Sequence, residues 1–256
     1  MARIMEDDVK QAILSNRHLL SGLGELGNTK VIFEKGMNYG NLIADAIAFT
    51  HRQGIIGYEI KTEYDTLKRL PKQLDSYARV CNYVIVFCHD SKLEEVEKLL
   101  ASKNYPFVGI ISYSEFNDDI ITGMYRDPQL NPLFRMKACL SMLWKNEIYA
   151  ILSAYVNHPS NVVKNTYNEK ATNIHTAMLS RNSQYGVLRR DMTKRAMIAL
   201  YDNLIPENEG IRIICEMFIT EKFDPNKNLQ LYNYGDQFTH DVTFKDGYGK
   251  HNRRRH

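Results

Sequence analysis

Three charged residues in the first quarter of the chain have types and a spacing that suit phosphoryl chemistry. Glu59 and Lys61 lie two residues apart in GYEIKTEY, a stretch with strand-like alternation. Side chains two apart on a strand point to the same face of its sheet, so a carboxylate and an amine share one surface. Asp45 lies fourteen residues before Glu59 among apolar neighbours, where a charge more often marks a site than a solvated surface.

A predicted hairpin brings Asp45 toward Glu59. The polar stretch HRQG, residues 51–54, separates a strand near 41–50 from a strand near 55–62. With the turn centred near Arg52 and Gln53, antiparallel pairing sets Asp45 opposite Glu59 or its immediate neighbour, within about 5.5 Å at Cα. Two carboxylates this close repel each other unless a cation lies between them, and oxygen ligands suit Mg²⁺ or Mn²⁺. Lys61 would then position or help deprotonate a water that attacks a metal-bound phosphate.

The elements that must hold these residues alternate between helices and strands. Before the hairpin, the sequence predicts a helix over 6–20 and a strand over 30–35. After it follow a helix over 66–81, a strand over 83–87, a helix capped by Ser91 and a last strand over 107–112. The order helix, three strands, helix, strand, helix, strand predicts a mixed α/β sheet.

Asp45 followed by Glu59-Ile60-Lys61, within an αβββαβ order, resembles the PD-(D/E)XK nuclease superfamily. The run GYEIKTEYDTLKRLPKQLDSY is similar to a bacterial branch typified by the MmcB DNA-repair family and its uncharacterised relatives. The resemblance covers roughly residues 28–111, and more weakly the helix around SMLWKNEIYAIL. It implies a restriction-endonuclease-like fold in which Asp45, Glu59 and the Ile60 carbonyl bind Mg²⁺ or Mn²⁺ and Lys61 is the catalytic lysine.

The same resemblance assigns roles to residues around this motif. It makes Gln73 a helix residue that faces the site, and it makes Glu34, on the preceding strand, a possible addition to the metal ligands. Asp65, Arg69 and Tyr77 also match the pattern and are possible supporting residues. Alternatives stay open: Glu59 and Lys61 could form an ordinary ion pair on a sheet, Asp65 could cap its helix, and Tyr77 could be core packing.

The chain changes character near Asp127, which predicts three parts. These are a nuclease-like domain over 1–125, an all-helical region over 126–222 and a turn-rich basic tail over 223–256. Helical spacing begins at LFRMKACLSMLWKNEIYAILSAYV and predicts further helices around 160–180, 187–204 and 210–219. We expect Trp144 to lie in the core where this region docks on the sheet, and His158 and His175 to be structural or solvent-facing.

Basic residues suggest a partner. The net charge is only +3, but Arg189, Arg190, Lys194 and Arg195 lie close together and the chain ends GKHNRRRH. Such clusters bind phosphates, and the alternative is a solvated helix face with a frayed tail. We predict that the clustered residues contact DNA.

Composition narrows the setting. The four cysteines show no CxxC spacing, which suits reduced thiols in a cytoplasmic protein. No apolar run is long enough to span a membrane, and no secretory signal is visible.

The sequence therefore predicts a metal-dependent nuclease that hydrolyses phosphodiester bonds of DNA in repair, phage or mobile-element biology. One alternative is a non-catalytic module that keeps the fold and binds nucleic acid or protein. Another is a subunit that is active only within a complex. A homodimer or a partner protein is possible with each of these functions.

Overall fold

A computed structural model describes residues 6–15, 23–37, 42–117, 119–157, 162–165, 170–173, 188, 190–220 and 243–246. Its first eight elements have the predicted order of a helix, three strands, a helix, a strand, a helix and a strand. The strands of the main sheet are β1 (Thr29–Met37), β2 (Leu42–Thr50), β3 (Gly54–Lys61), β4 (Tyr83–His89), β5 (Gly109–Phe116) and β6 (Asp119–Arg126). A short strand near the C-terminus, Thr243–Asp246, pairs in parallel with β1.

The helices flank this sheet and follow it. The early helices are α1 (Glu6–Ser15), α2 (Leu70–Val80) and α3 (Leu93–Ser102). The later helices are α4 (Met136–Leu140), α5 (Lys145–Asn157), α6 (Lys194–Leu204) and α7 (Glu207–Thr220). Pro71 lies in the first turn of α2, where a missing N–H leaves no hydrogen bond unmade.

The sheet is mixed because its connections differ in length. The short turn after Thr50 makes β2 and β3 antiparallel, whereas α2 and α3 connect strands that run parallel. The strand order is β6-β5-β4-β3-β2-β1, with Thr243–Asp246 beyond β1. The structure is thus the predicted α/β core followed by helices.

Two apolar clusters cover the two faces of the sheet. One face packs against α1 through Val9 and Ile13. The other packs against α2 and α3, and the same cluster continues into the later helices through residues such as Leu140 and Met217. The ring of Phe218 on α7 stacks on Phe49 of β2, with ring centroids 3.9 Å apart. The later helices therefore complete the core on the α2 face.

Two predicted elements differ from the structure, and one strand was not predicted. The last predicted strand, 107–112, is β5 from Gly109 to Phe116, and a further strand, β6, pairs with it. The helix predicted around 160–180 is replaced, in its described part, by the strands β7 (Val162–Asn165) and β8 (Lys170–Asn173) of a hairpin. The β-branched Val162, Val163 and Thr172 favour extended backbone, which the helical interpretation of this stretch undervalued.

Two side chains also differ from the prediction. Trp144 is 56% exposed rather than core, because it precedes α5 in a loop while Leu140, Leu143 and Ile148 fill the interior. Ser91 does not cap α3, since a short 3₁₀ turn, Asp90–Lys92, comes first and the side chain of His89 accepts the Ser91 N–H. His158 and His175 lie outside the described residues.

Gly57 tests how closely α2 packs on β3. A Cβ at this position would lie 2.4 Å from a ring carbon of Tyr77 and 2.8 Å from Sγ of Cys81. We expect Gly57→Ala to lower the free energy of unfolding by about 1–3 kcal/mol in urea denaturation, because this core has no room for a methyl group. Gly123→Ala is the matched control, since a Cβ there meets nothing within 4 Å. Equal stability of the two variants would contradict the packing.

Candidate active site

The β2–β3 hairpin brings Asp45 and Glu59 to the same level of the sheet. The pairs from Thr50↔Gly54 to Ala46↔Tyr58 keep one register, and the next step along it sets Asp45 across from Glu59. The Asp45 carboxylate accepts a hydrogen bond from the backbone N–H of Ile60 at 2.8 Å. Continued by one step, the register places Asp45 level with Glu59, as the turn predicted, although the paired residues end at Ala46 and Tyr58.

Glu59 and Lys61 form an ion pair on the α2 face of β3. The amine of Lys61 donates to Oε1 of Glu59. Glu59 is fully buried and Lys61 is 4% exposed. The pair is therefore not the weak ion pair of an exposed sheet surface, which was the alternative interpretation of the sequence. A buried charge loses its hydration and depends on its partner.

A tyrosine hydroxyl joins the two strands where their pairing ends. The Tyr77 hydroxyl donates to the carbonyl of Tyr58 and accepts the backbone N–H of Asp45, each at 2.8 Å. Both backbone groups are thereby satisfied although the strands separate at this point. Tyr77 is fully buried, so it contributes to the core. It also holds the point where β2 and β3 separate, which we call the fork and which consists of Asp45, Glu59, Ile60, Lys61 and Tyr77.

Burial disfavours the charged forms of both carboxylates. It raises the pKa of Glu59 to about 8, with the charge of Asp45 adding to the effect and Lys61 opposing it. Burial also raises the pKa of Asp45 to about 6, against the hydrogen bond from Ile60 and the charge of Lys61. A bound cation would oppose both shifts, because a nearby positive charge favours the charged form of a carboxylate.

Two buried oxygens, one on β3 and one on α2, lack hydrogen-bond partners among the described residues. They are Oε2 of Glu59 and Oε1 of Gln73. Gln73 lies one helical turn before Tyr77 and shares its face of α2. Unsatisfied buried oxygens call for a ligand, and these two fit a cation or the water that it carries. The described part of the chain contains no cluster of three or more His, Cys, Asp or Glu side chains arranged for a metal.

Glu34 of β1 lies across from Asp45 of β2, but its side chain is directed toward α1. Its φ of 52° is left-handed and interrupts the β1–β2 pairing between Phe33↔Ala46 and Lys35↔Ala44. The Glu34 carboxylate contacts the amine of Lys10 on α1 at 3.3 Å and is 61% exposed. Glu34 therefore lies beside the two acids in the sheet, with its charge paired to α1.

The loop after Lys61 is held by Asp65. Its carboxylate accepts hydrogen bonds from the backbone N–H of Thr62 at 2.7 Å and from the Thr62 hydroxyl at 2.8 Å. Asp65 thus fixes the end of β3 rather than the start of α2. Arg69 is exposed at the start of α2, next to the exposed Lys68 and Lys72.

The predicted basic cluster does not lie on one helix. The α6 helix begins at Lys194, so Arg190 lies in the preceding turn, where its guanidinium is 5.7 Å from the centre of the Tyr149 ring. Lys194 turns inward and donates to the carbonyl of Ser141 at 2.7 Å, while Arg195 is exposed. Arg189 lies outside the described residues.

A second group of charges was not predicted. Lys35 of β1 is 3% exposed, with its amine 5.0 Å from the centre of the Phe218 ring. Burial lowers its pKa to about 8, while Glu147 of α5 opposes the shift and Lys194 adds to it. Lys35 pairs with Ala44, next to Asp45, so these charges lie near the same end of the sheet. No sequence signal could have shown this, because it depends on how α5 and α6 dock.

The family of the chain follows from its sequence over most of its length. Residues 1–208 match the family described as bacteriophage P4 protein cII. The chain belongs to this family. The matched residues include every residue of the fork and end within α7. The search of curated proteins found no match.

None of the described helices has the length and apolar character that a membrane-spanning helix needs.

Asp45→Asn tests the electrostatics of the fork in metal-free protein. The folded-state pKa of Asp45 is raised, so wild-type protein loses stability as the pH rises from the ordinary aspartate value through about 6. An asparagine carries no charge, and its amide oxygen can still accept the Ile60 N–H. From about pH 4 to about pH 8 the variant should gain about 1–3 kcal/mol on wild type in urea unfolding with EDTA. A constant difference across this range would contradict the raised pKa.

Proposed function

We propose that the chain is a metal-dependent nuclease that hydrolyses phosphodiester bonds of DNA. The observation that carries the proposal is the fork between β2 and β3, where Asp45 meets the buried pair of Glu59 and Lys61. Two carboxylates and an amine at one point are the groups that metal-assisted attack on a phosphate uses. The resemblance of these residues to the PD-(D/E)XK pattern supports the same reaction.

The donor set fits Mg²⁺ or Mn²⁺. Asp45 and Glu59 would hold the ion, with the Ile60 carbonyl as a third oxygen, and hard oxygen ligands are what these ions prefer. The unsatisfied Oε2 of Glu59 supports the fit, because a buried carboxylate oxygen rarely lacks a partner. When bound, such an ion polarises a phosphate and lowers the pKa of a water.

The chain's own residues would prepare the site for this chemistry. A cation at the fork would return Glu59 and Asp45 to their charged forms, against the burial that raises their pKa values. Lys61, released from part of its bond with Glu59, would place its ammonium beside the phosphate and the attacking water. Gln73, with its unsatisfied oxygen, would orient a water on the α2 side.

Exposed basic residues support a nucleic acid as the substrate. Arg190 is exposed in the turn before α6 and Arg195 in its first turn, and Lys68, Arg69 and Lys72 are exposed around the start of α2. Basic residues of this kind contact phosphates and position the strand without reading its sequence. The name of the family points to phage biology as the setting.

The second candidate is a binding module that keeps the fold without turnover. It is favoured by one observation, that the Lys61 amine already takes Oε1 of Glu59, the oxygen that a metal ligand needs. In this candidate the ion pair is the final state of the site, and the basic residues bind nucleic acid or a partner protein.

Lys61→Ala separates the two candidates. The variant loses the ammonium but keeps the carboxylates, and Glu59 can take up a proton because its pKa is already raised. Positioned acid–base groups contribute about 10²–10⁴-fold in rate, so cleavage with Mg²⁺ or Mn²⁺ should fall by about that factor. Nucleic-acid binding should stay close to that of wild type. The assay uses linear and circular DNA and RNA, with and without metal.

The matched control is Lys98→Ala, which removes an exposed lysine whose one ion pair among the described residues is with Glu94 on the same helix. It should leave both cleavage and binding unchanged. Wild-type protein that binds tightly but cleaves no substrate would support the binding module. Cleavage that persists in Lys61→Ala would place the chemistry elsewhere or attribute it to a contaminant.

A further inference from the structure

The β6 strand ends the main sheet on the side away from β1. Among the described strands, β6 has one neighbour, β5, so its other edge presents backbone N–H and C=O groups that no described strand pairs. Such an edge is a template for another strand.

This edge lacks most of the features that usually prevent association. Edge strands are commonly protected by a central lysine, a proline or a short length. The eight residues of β6, DIITGMYR, carry charge only at the two ends, Asp119 and Arg126. The Arg126 guanidinium is engaged with the carbonyl of Val108, at 2.6 Å. A bulge at the Tyr125 end of β6 leaves the stretch from Asp119 to Met124 in regular register.

An exposed apolar stripe follows the same edge. Phe116, Ile121 and Tyr125 are 61%, 51% and 48% exposed. Ile121 and Tyr125 alternate with Ile120 and Met124, which pack into the cluster on the α1 face. The Tyr125 hydroxyl donates to Glu97 of α3 at 3.0 Å, so the stripe lies on the α3 face. Three large apolar side chains in one stripe are more than the scattered exposure of an ordinary surface.

We propose that β6 pairs with β6 of a second copy of the chain, in antiparallel orientation, to form one sheet across a dimer. A second copy is favoured over an unrelated partner because Ile121 and Tyr125 lie at equal distances on either side of Gly123, so the strand can pair with itself. A two-fold axis perpendicular to the sheet keeps each face on its own side, so opposed residues must have the same parity. With the axis at Gly123, Ile121 of each copy lies opposite Tyr125 of the other.

This register covers part of the exposed stripe, the side chains of Ile121 and Tyr125. It sets a β-branched side chain against an aromatic one twice, a favourable cross-strand pair. Gly123 at the axis has no side chain that could clash with that of its own copy. The interface uses none of the residues of the β2–β3 fork, so it is independent of the proposed chemistry.

Cysteine cross-linking tests the register directly. At the axis, the two copies of Gly123 would lie opposite each other with Cα atoms about 4.5–5.5 Å apart, within the range of a disulfide. A Cβ at Gly123 meets nothing within 4 Å, and the four native cysteines are buried. Gly123→Cys should therefore form a cross-linked dimer under mild oxidation. Thr122→Cys, whose two copies would be about 8 Å apart, should not. Equal cross-linking of both, or of neither, would overturn the proposal.

A charge series tests the interface without cysteines. Ile121→Glu with Tyr125→Glu sets like charges opposite each other and should give a monomer by light scattering after gel filtration. Ile121→Lys with Tyr125→Glu sets opposite charges there and should restore the dimer. Circular dichroism and thermal unfolding confirm that both variants are folded. A wild-type monomer at tens of micromolar, or the same state in both variants, would overturn the proposal.

Discussion

The ion pair between Glu59 and Lys61 is the constraint on which the rest of the site depends. Both side chains lie on the α2 face of a central strand, where a buried charge is stable only beside a partner. Asp45 across the hairpin adds a second negative charge, so one amine faces two carboxylates. Apolar residues in place of a buried ion pair are often neutral or stabilising, so the charges are easier to explain by chemistry than by stability.

Regular strand pairing is interrupted at two positions beside this charge cluster, Glu34 and Asp45. At Glu34 the left-handed φ reverses the alternation of β1, and at Asp45 the pairing of β2 with β3 gives way to the Tyr77 hydroxyl. These two interruptions lie side by side in the sheet. Strained or interrupted backbone in a sheet persists only where the surroundings impose it, and such positions cluster at functional sites. Here Lys10 of α1 and Tyr77 of α2 provide those surroundings from opposite faces.

The hairpin could be predicted from the sequence because its determinants are local. A short polar turn and two alternating strands fix the register, and the register sets Asp45 against Glu59. The exposure of Trp144 and the charges around Lys35 depend on how distant elements dock, which local patterns do not encode. The strand β6 was missed although its determinants are local, since a short turn joins it to β5. The basic residues were visible as a cluster, but the start of α6 at Lys194 divides them between a turn and a helix.

The most direct measurement is the position of Mn²⁺ in crystals grown with the ion, located by its anomalous scattering. We predict one peak between Asp45 and Glu59, with carboxylate oxygens at about 2.0–2.4 Å, and the Lys61 amine displaced from Oε1 of Glu59. Crystals at saturating Mn²⁺ with no peak at the fork, and with Lys61 still bonded to Glu59, would contradict it.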